Sequence, residues 1–211
     1  MSFFPIISQL TSAGLTFLQG TSAAEANPLT FSSQNLGAAS ADRFLICCVG
    51  NRLGGTPSGV TINGVTATQL ESADRINGAD SCSSSIWGAS SASGTSGDIV
   101  ITGLTAGNTC FISLYSATRL QSTTPTDTVA STGNSGTQSG NLDVLSGGFI
   151  ITCARFRSGT SGNVTIGGVS CEDYEGATFR SGSRSALQAA TNVTATITGS
   201  ADGALCAVSF R

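Results

Sequence analysis

The chain has 211 residues with a formal charge of −3; only 10% of its residues are charged and 39% are hydrophobic. All nine basic residues are arginines, scattered along the chain, and there is no lysine or histidine, which excludes Ser-His-Asp, Cys-His and Schiff-base catalysis and leaves no basic cluster for nucleic acid. Abundant Gly, Ser and Thr with apolar residues in short runs describe a folded chain with a neutral, hydroxyl-rich surface rather than disorder.

Residues 1–29 read as an apolar N-terminal arm, with no charged side chain before Glu25. Pro5, Gln9 and Gly14 break its apolar run. It therefore lacks the form of a secretory signal and is too short and polar to enter a membrane. Phe3, Phe4, Ile6, Ile7, Leu15, Phe17 and Leu18 are its candidate contacts, on the body or on a neighbouring subunit.

Residues 30–121 read as a first β-sandwich repeat. The run Arg43-Phe-Leu-Ile-Cys-Cys48 is apolar throughout and predicts a central strand covered on both faces. Asn63-Gly64 sits between Val60-Thr-Ile62 and Val65-Thr-Ala67, and Asn-Gly tolerates the positive φ angles of a type I′ hairpin. Glu71 and Asp74 follow the hairpin. Next comes Trp87, the only tryptophan. If Ile86 fills the core, Trp87 faces out and could stack on a sugar, with Arg75 and Asp80 on the adjoining loop. If Trp87 fills the core, that site vanishes. Along Cys110–Tyr115, Cys110, Ile112 and Leu114 point one way and Phe111, Ser113 and Tyr115 the other.

Residues 122–140, rich in Ser, Thr and Gly, read as a connection, and residues 141–211 as a second repeat. Gly148–Cys153 matches Arg43–Cys48, Asn163–Glu175 matches Gly59–Glu71, and Gly167-Gly168 stands where the first copy has Asn63-Gly64. Leu187 stands opposite Trp87, and Cys153 and Cys206 correspond to Cys48 and Cys110. The fold expected is all-β: an antiparallel sandwich, immunoglobulin-like or jelly-roll-like, tandemly duplicated.

Seven cysteines allow bridges between Cys48 and Cys110 and between Cys153 and Cys206. The odd count and the adjacent Cys47-Cys48 pair point instead to buried free thiols. Without histidine or Cys-x-x-Cys no metal site is expected, and no cofactor or catalytic residue is assigned. Glu71, Asp74, Glu172, Asp173 and Glu175 could in principle make a carboxylate pair or a calcium site; solvated acids at strand ends are the plainer reading.

The strings GVTINGVTATQLE, SIWGAS, GTSGDIVITG and CFISLYSAT resemble small Gly/Ser/Thr-rich proteins encoded among the virion genes of tailed bacteriophages. The likeness covers Arg43–Thr126 well and the second copy more loosely. It implies a non-enzymatic capsid decoration, cement or tail-associated protein, assembled in the bacterial cytoplasm. Its partners would be capsid or tail subunits and further copies of itself. The alternative is an adhesin for carbohydrate or a host receptor, using Trp87.

Overall fold

The structure, a computed structural model, describes residues 12–211 except 54, 79, 80, 135, 160–162 and 200. The described residues are strands and their connections. In the first half the strands are β1 (Gly14–Ala24), β2 (Leu29–Asn35), β3 (Phe44–Arg52), β4 (Gly59–Ile62), β5 (Val65–Thr66), β6 (Thr68–Arg75), β7 (Cys82–Ser90), β8 (Ser96–Thr102) and β9 (Thr109–Thr118). In the second half they are β10 (Asp127–Gly133), β11 (Thr137–Val144), β12 (Gly148–Phe156), β13 (Val164–Ile166), β14 (Val169–Ser170), β15 (Glu172–Glu175), β16 (Phe179–Leu187), β17 (Ala190–Thr198) and β18 (Gly203–Phe210).

The first half forms an inner sheet of order β1-β9-β3-β7-β6 and an outer sheet of order β2-β8-β4-β5. Pairing β1 with β9, β2 with β8, β3 with β7 and β4 with β5, all antiparallel, is a long ribbon doubled back and rolled up. Successive strand pairs alternate between the two sheets, which is jelly-roll wiring. The second half has inner order β10-β18-β12-β16-β15 and outer order β11-β17-β13-β14, the same scheme with every strand index advanced by nine.

The turn chemistry behaves as the residues dictate. Asn63 and Gly64 have φ of 53° and 76°, and Gly167 and Gly168 have 58° and 74°, the left-handed pair that a type I′ hairpin requires.

The four sheets stack as outer, inner, inner, outer, with an apolar layer in each gap. Leu45, Cys47, Val49, Trp87, Ile112 and Leu114 fill the first sandwich beneath Phe31, Val60, Ile62, Ile99 and Ile101. Ile150, Ala154, Leu205 and Ala207 do the same in the second, against Leu142, Ile166, Ala195 and Ile197. The third layer lies between the two inner sheets, where Phe44, Ile46, Cys48, Ile86, Phe111 and Tyr115 meet Phe149, Ile151, Cys153, Phe179, Val208 and Phe210. Strand β3 is thus covered on both faces, as its unbroken apolar run predicts.

Close approach across this seam depends on missing side chains. A Cβ on Gly50 would lie 2.2 Å from the Phe179 ring, and one on Gly20 would lie 2.2 Å from the Tyr174 ring. Phe179 also stacks on Phe111 with centroids 5.9 Å apart.

Candidate functional site

The acids that could have made a carboxylate pair are each engaged by neighbouring side chains or backbone, though Asp74, Glu172 and Glu175 are exposed. Asp74 accepts from Thr56 Oγ1 at 2.8 Å and Ser83 Oγ at 2.5 Å, and Glu71 accepts from the Ser72 amide at 2.8 Å. Glu172 and Glu175 both grip the guanidinium of Arg180, itself 4% exposed. Burial raises the pKa of Asp173, against hydrogen bonds from Ser183 and the Tyr115 hydroxyl. Among the described residues no three His, Cys, Asp or Glu side chains converge as metal ligands.

The ligand-stacking expectation is corrected at Trp87. Its ring is 5% exposed in the first sandwich core, and Nε1 donates to Ser85 Oγ at 2.8 Å. Ile86 is also fully buried, on the opposite face. Both can be inside because the inner sheet has a packed layer on each side, an arrangement the either-or reading of this strand left out. Arg75 is turned to the second half, paired with Asp202 and donating to Asn134 Oδ1 at 2.8 Å. Asp80 lies outside the described residues.

Of the arm contacts, Phe3, Phe4, Ile6 and Ile7 lie outside the described residues. Leu15, Phe17 and Leu18 are on β1, which pairs along β9 rather than forming a free arm, with Leu18 at the irregularity between the paired Phe17 and Gln19. Leu15 and Phe17 pack on the seam, Phe17 with its ring 5.4 Å from that of Tyr115, and Leu18 packs on the first sandwich core. All three are only partly buried.

All seven cysteines are free thiols, the reading that the odd count and the adjacent Cys47-Cys48 pair favour over the two bridges. Cys48 and Cys110 lie on adjacent strands of one sheet and point into different cores. Cys153 and Cys206 are direct cross-strand partners with Sγ atoms 3.5 Å apart. Cys48 reaches Cys153 across the seam, making a line of three buried thiols. Desolvation raises the pKa of each.

Buried charge marks one end of the seam. Arg155, 2% exposed, lies 4.7 Å over the Phe111 ring and donates to the Thr109 carbonyl at 3.2 Å. Burial and the nearby Arg52 charge lower its pKa to about 10. Glu25, 5% exposed, accepts from the Arg52 amide at 2.8 Å; burial raises its pKa although Arg155 and Arg52 pull it down.

The feature that most distinguishes the two halves is how each is closed at the end near β3 and β12. In the first half the connections at residues 36–43 and 91–95 fold over that end. Arg43, 1% exposed, pins them by donating to the carbonyls of Leu36, Gly37, Ala38, Ser91, Ser93 and Gly94 at 2.6–3.2 Å. The Asn63 side chain completes the closure by donating to Ser91 Oγ at 3.2 Å and the Ser93 carbonyl at 3.3 Å. In the second half Gly148 stands for Arg43 and Gly167 for Asn63, and the connections shrink to residues 145–147 and 188–189.

What remains there is an open trough of about 520 Å³ between the Gly167-Gly168 turn and Ala190–Thr194, with Arg184, Leu187 and Val193 in its walls. It shares Val144, Ala190 and Thr191 with a neighbouring hollow that reaches Leu145. Leu145 is 45% exposed and Val169, beside the turn, 47%. Sequence matching holds the signal for this trough, because both plugging residues align with glycine; only the surrounding structure shows what they plug.

No family model matches the chain, and no curated protein matches it.

Proposed function

We propose that the chain is a non-enzymatic structural subunit of a tailed-phage particle, a head decoration, cement or tail-associated protein, and that its halves arose by tandem duplication. One observation carries the reading. Two jelly rolls are fused back to back through a core as continuous as those inside each roll, so the side chains with chemical potential serve to hold a rigid block. Jelly rolls recur in viral coats, an analogy of fold that adds support without specifying a role.

The contact surfaces in this reading are the solvent faces of the two outer sheets. Thr30, Ser32 and Ser33 on β2 and Thr137, Ser139 and Asn141 on β11 are exposed there and uncharged. Such faces meet other protein without charge repulsion, and repetition over a particle multiplies a modest affinity. The test is co-sedimentation of the purified protein with heads or tails, together with light scattering. Saturation at a fixed ratio is the expected result. A protein that never saturates either particle overturns the reading.

A further inference from the structure

We propose that the trough in the second half is a binding site for a small carboxylic acid with an aliphatic body, its carboxylate held by Arg184 and its chain lying against Leu187 and Val193. The inference does not rest on the virion reading.

The site is a local departure from the scheme that the two halves share. In the first half the β3–β7 ladder runs without interruption from Phe44 opposite Ser90 to Arg52 opposite Cys82. In the second half Gly148 pairs with Leu187 and Ile150 with Arg184, three steps along β16 against two along β12, so β16 carries an extra residue there. Ala186, inside this bulge, has φ of 54°, a left-handed value rare for a residue with a Cβ. On a regular strand, residues three apart face opposite ways. The extra residue turns both to one side. Leu187 packs on the second sandwich core, and Arg184 Nη1 donates to the Ile166 carbonyl of the outer sheet at 2.9 Å. A cation and an aliphatic side chain thus stand together in the trough wall.

The shared scheme does not call for a cation at this place. Leu45 pairs with Ala89, buried in the first core, whereas its counterpart Ile150 pairs with Arg184. Arg184 is the one charged side chain lining the trough, it is half-buried, and no carboxylate among the described residues pairs with it. Asp143, in the neighbouring hollow, accepts instead from the Asn192 amide at 3.0 Å. A guanidinium drawn partly out of water favours an anionic partner that can take its N–H groups.

The glycine turn makes the room. A Cβ on Gly167 would lie 2.9 Å from Arg184 Nη1 and 3.5 Å from Val193 Cγ1, and the first half has Asn63 at that place. Val144, Leu187, Ala190 and Val193 make the walls apolar, and about 520 Å³ is within the range that takes a small molecule. One cation beside aliphatic walls selects a hydrocarbon acid over a bare anion or a neutral sugar.

The test is an amide chemical-shift titration of the full isotope-labelled chain with octanoate, and with octanol as its uncharged match. Octanoate is expected to saturate in the millimolar range and to move the amides of residues 184–194, with octanol about tenfold weaker. Arg184→Met should weaken octanoate about tenfold and leave octanol unchanged, and Arg184→Lys should restore part of the loss. Gly167→Asn, which copies the first half's turn and keeps the charge, should also weaken octanoate by crowding the guanidinium. Resonances outside the trough report that each variant is folded. An absence of saturable shifts, shifts mapping elsewhere, equal affinity for octanoate and octanol, or octanoate binding indifferent to Arg184→Met would overturn the proposal. Tighter binding of N-acetyl-alanyl-leucine than of octanoate would overturn it in favour of a polypeptide chain end.

Discussion

Gly50→Ala tests the seam most directly. The new Cβ would sit 2.2 Å from one Phe179 ring carbon, 2.7 Å from the next and 3.2 Å from a third. The ring cannot swing aside, because Phe179 is fully buried and held between Phe111 at 5.9 Å and Tyr174 at 6.2 Å. Overpacking of this kind costs roughly 1–3 kcal/mol, and the severity of the overlap places it at the upper end. The gain from replacing glycine, about 0.4–1 kcal/mol through the unfolded chain, offsets part of that. A net loss of about 2 kcal/mol follows, equivalent to a Tm drop of roughly 4–8 °C for a chain of this size. Urea unfolding reads the loss, and Phe179→Leu in the same background should recover at least about 1 kcal/mol relative to additivity. Because the seam is continuous with both sandwiches, the melt should remain a single transition. A Gly50→Ala protein within about 0.5 kcal/mol of the parent, or strict additivity with Phe179→Leu, would refute the packing described for the seam.

Three further outcomes are expected. Arg43→Met should cost about 3 kcal/mol, since it strands the buried carbonyls of Leu36 and Ser91 and frees four part-buried ones; hydrogen exchange should rise first in residues 36–43 and 91–95. The native protein should leave its thiols almost unreacted with a disulfide reagent at pH 8, because burial raises their pKa values, even partly exposed Cys171 being pushed to about 11, and all seven should react once it is unfolded. Glu25→Gln should change the pH profile of stability in a definite direction. The folded-state pKa of Glu25 is raised, so wild type carries no ionisation penalty below the ordinary carboxyl pKa of 4.5 and acquires one as pH rises through the folded value. Relative to the variant, wild type should therefore lose stability as pH rises above the ordinary value of 4.5, as read by parallel melts; a difference that stays constant with pH would count against the buried carboxyl.

Much of the fold is legible in the residues. The unbroken run at Phe44–Val49 announces a strand covered on both faces, and Asn63-Gly64 and Gly167-Gly168 announce two hairpins at matching places. The seam is half-written: Phe111 and Tyr115 alternate with Cys110, Ile112 and Leu114, so apolar residues stand on both sides of β9. Alternation reports that a face is covered, never by what, and so Trp87 and Ile86 looked mutually exclusive. Ser83, Ser84 and Ser85 likewise read as polar, yet all are buried, Ser84 donating to the Ala204 carbonyl across the seam at 2.9 Å. Residues 14–24 look like an arm because an edge strand, half covered, carries a mixed pattern. The candidate acids were visible as residue types, but their partners Arg180, Ser83 and Ser183 come from strands remote in sequence or across a hairpin, where spacing gives no information.

The layering also makes the molecule a natural carrier for paired insertions. The Asn63-Gly64 and Gly167-Gly168 turns belong to the two outermost sheets, and packed sheets lie about 10 Å apart, so the outer sheets stand about 30 Å from each other. A Cβ at Gly64 or Gly168 would meet nothing within 4 Å. Peptide epitopes inserted at these two turns would stand at one end of a stiff body, since Phe210 packs on both Phe44 and Phe149, at a spacing fixed by the stack rather than by a linker, and could engage two receptors at once.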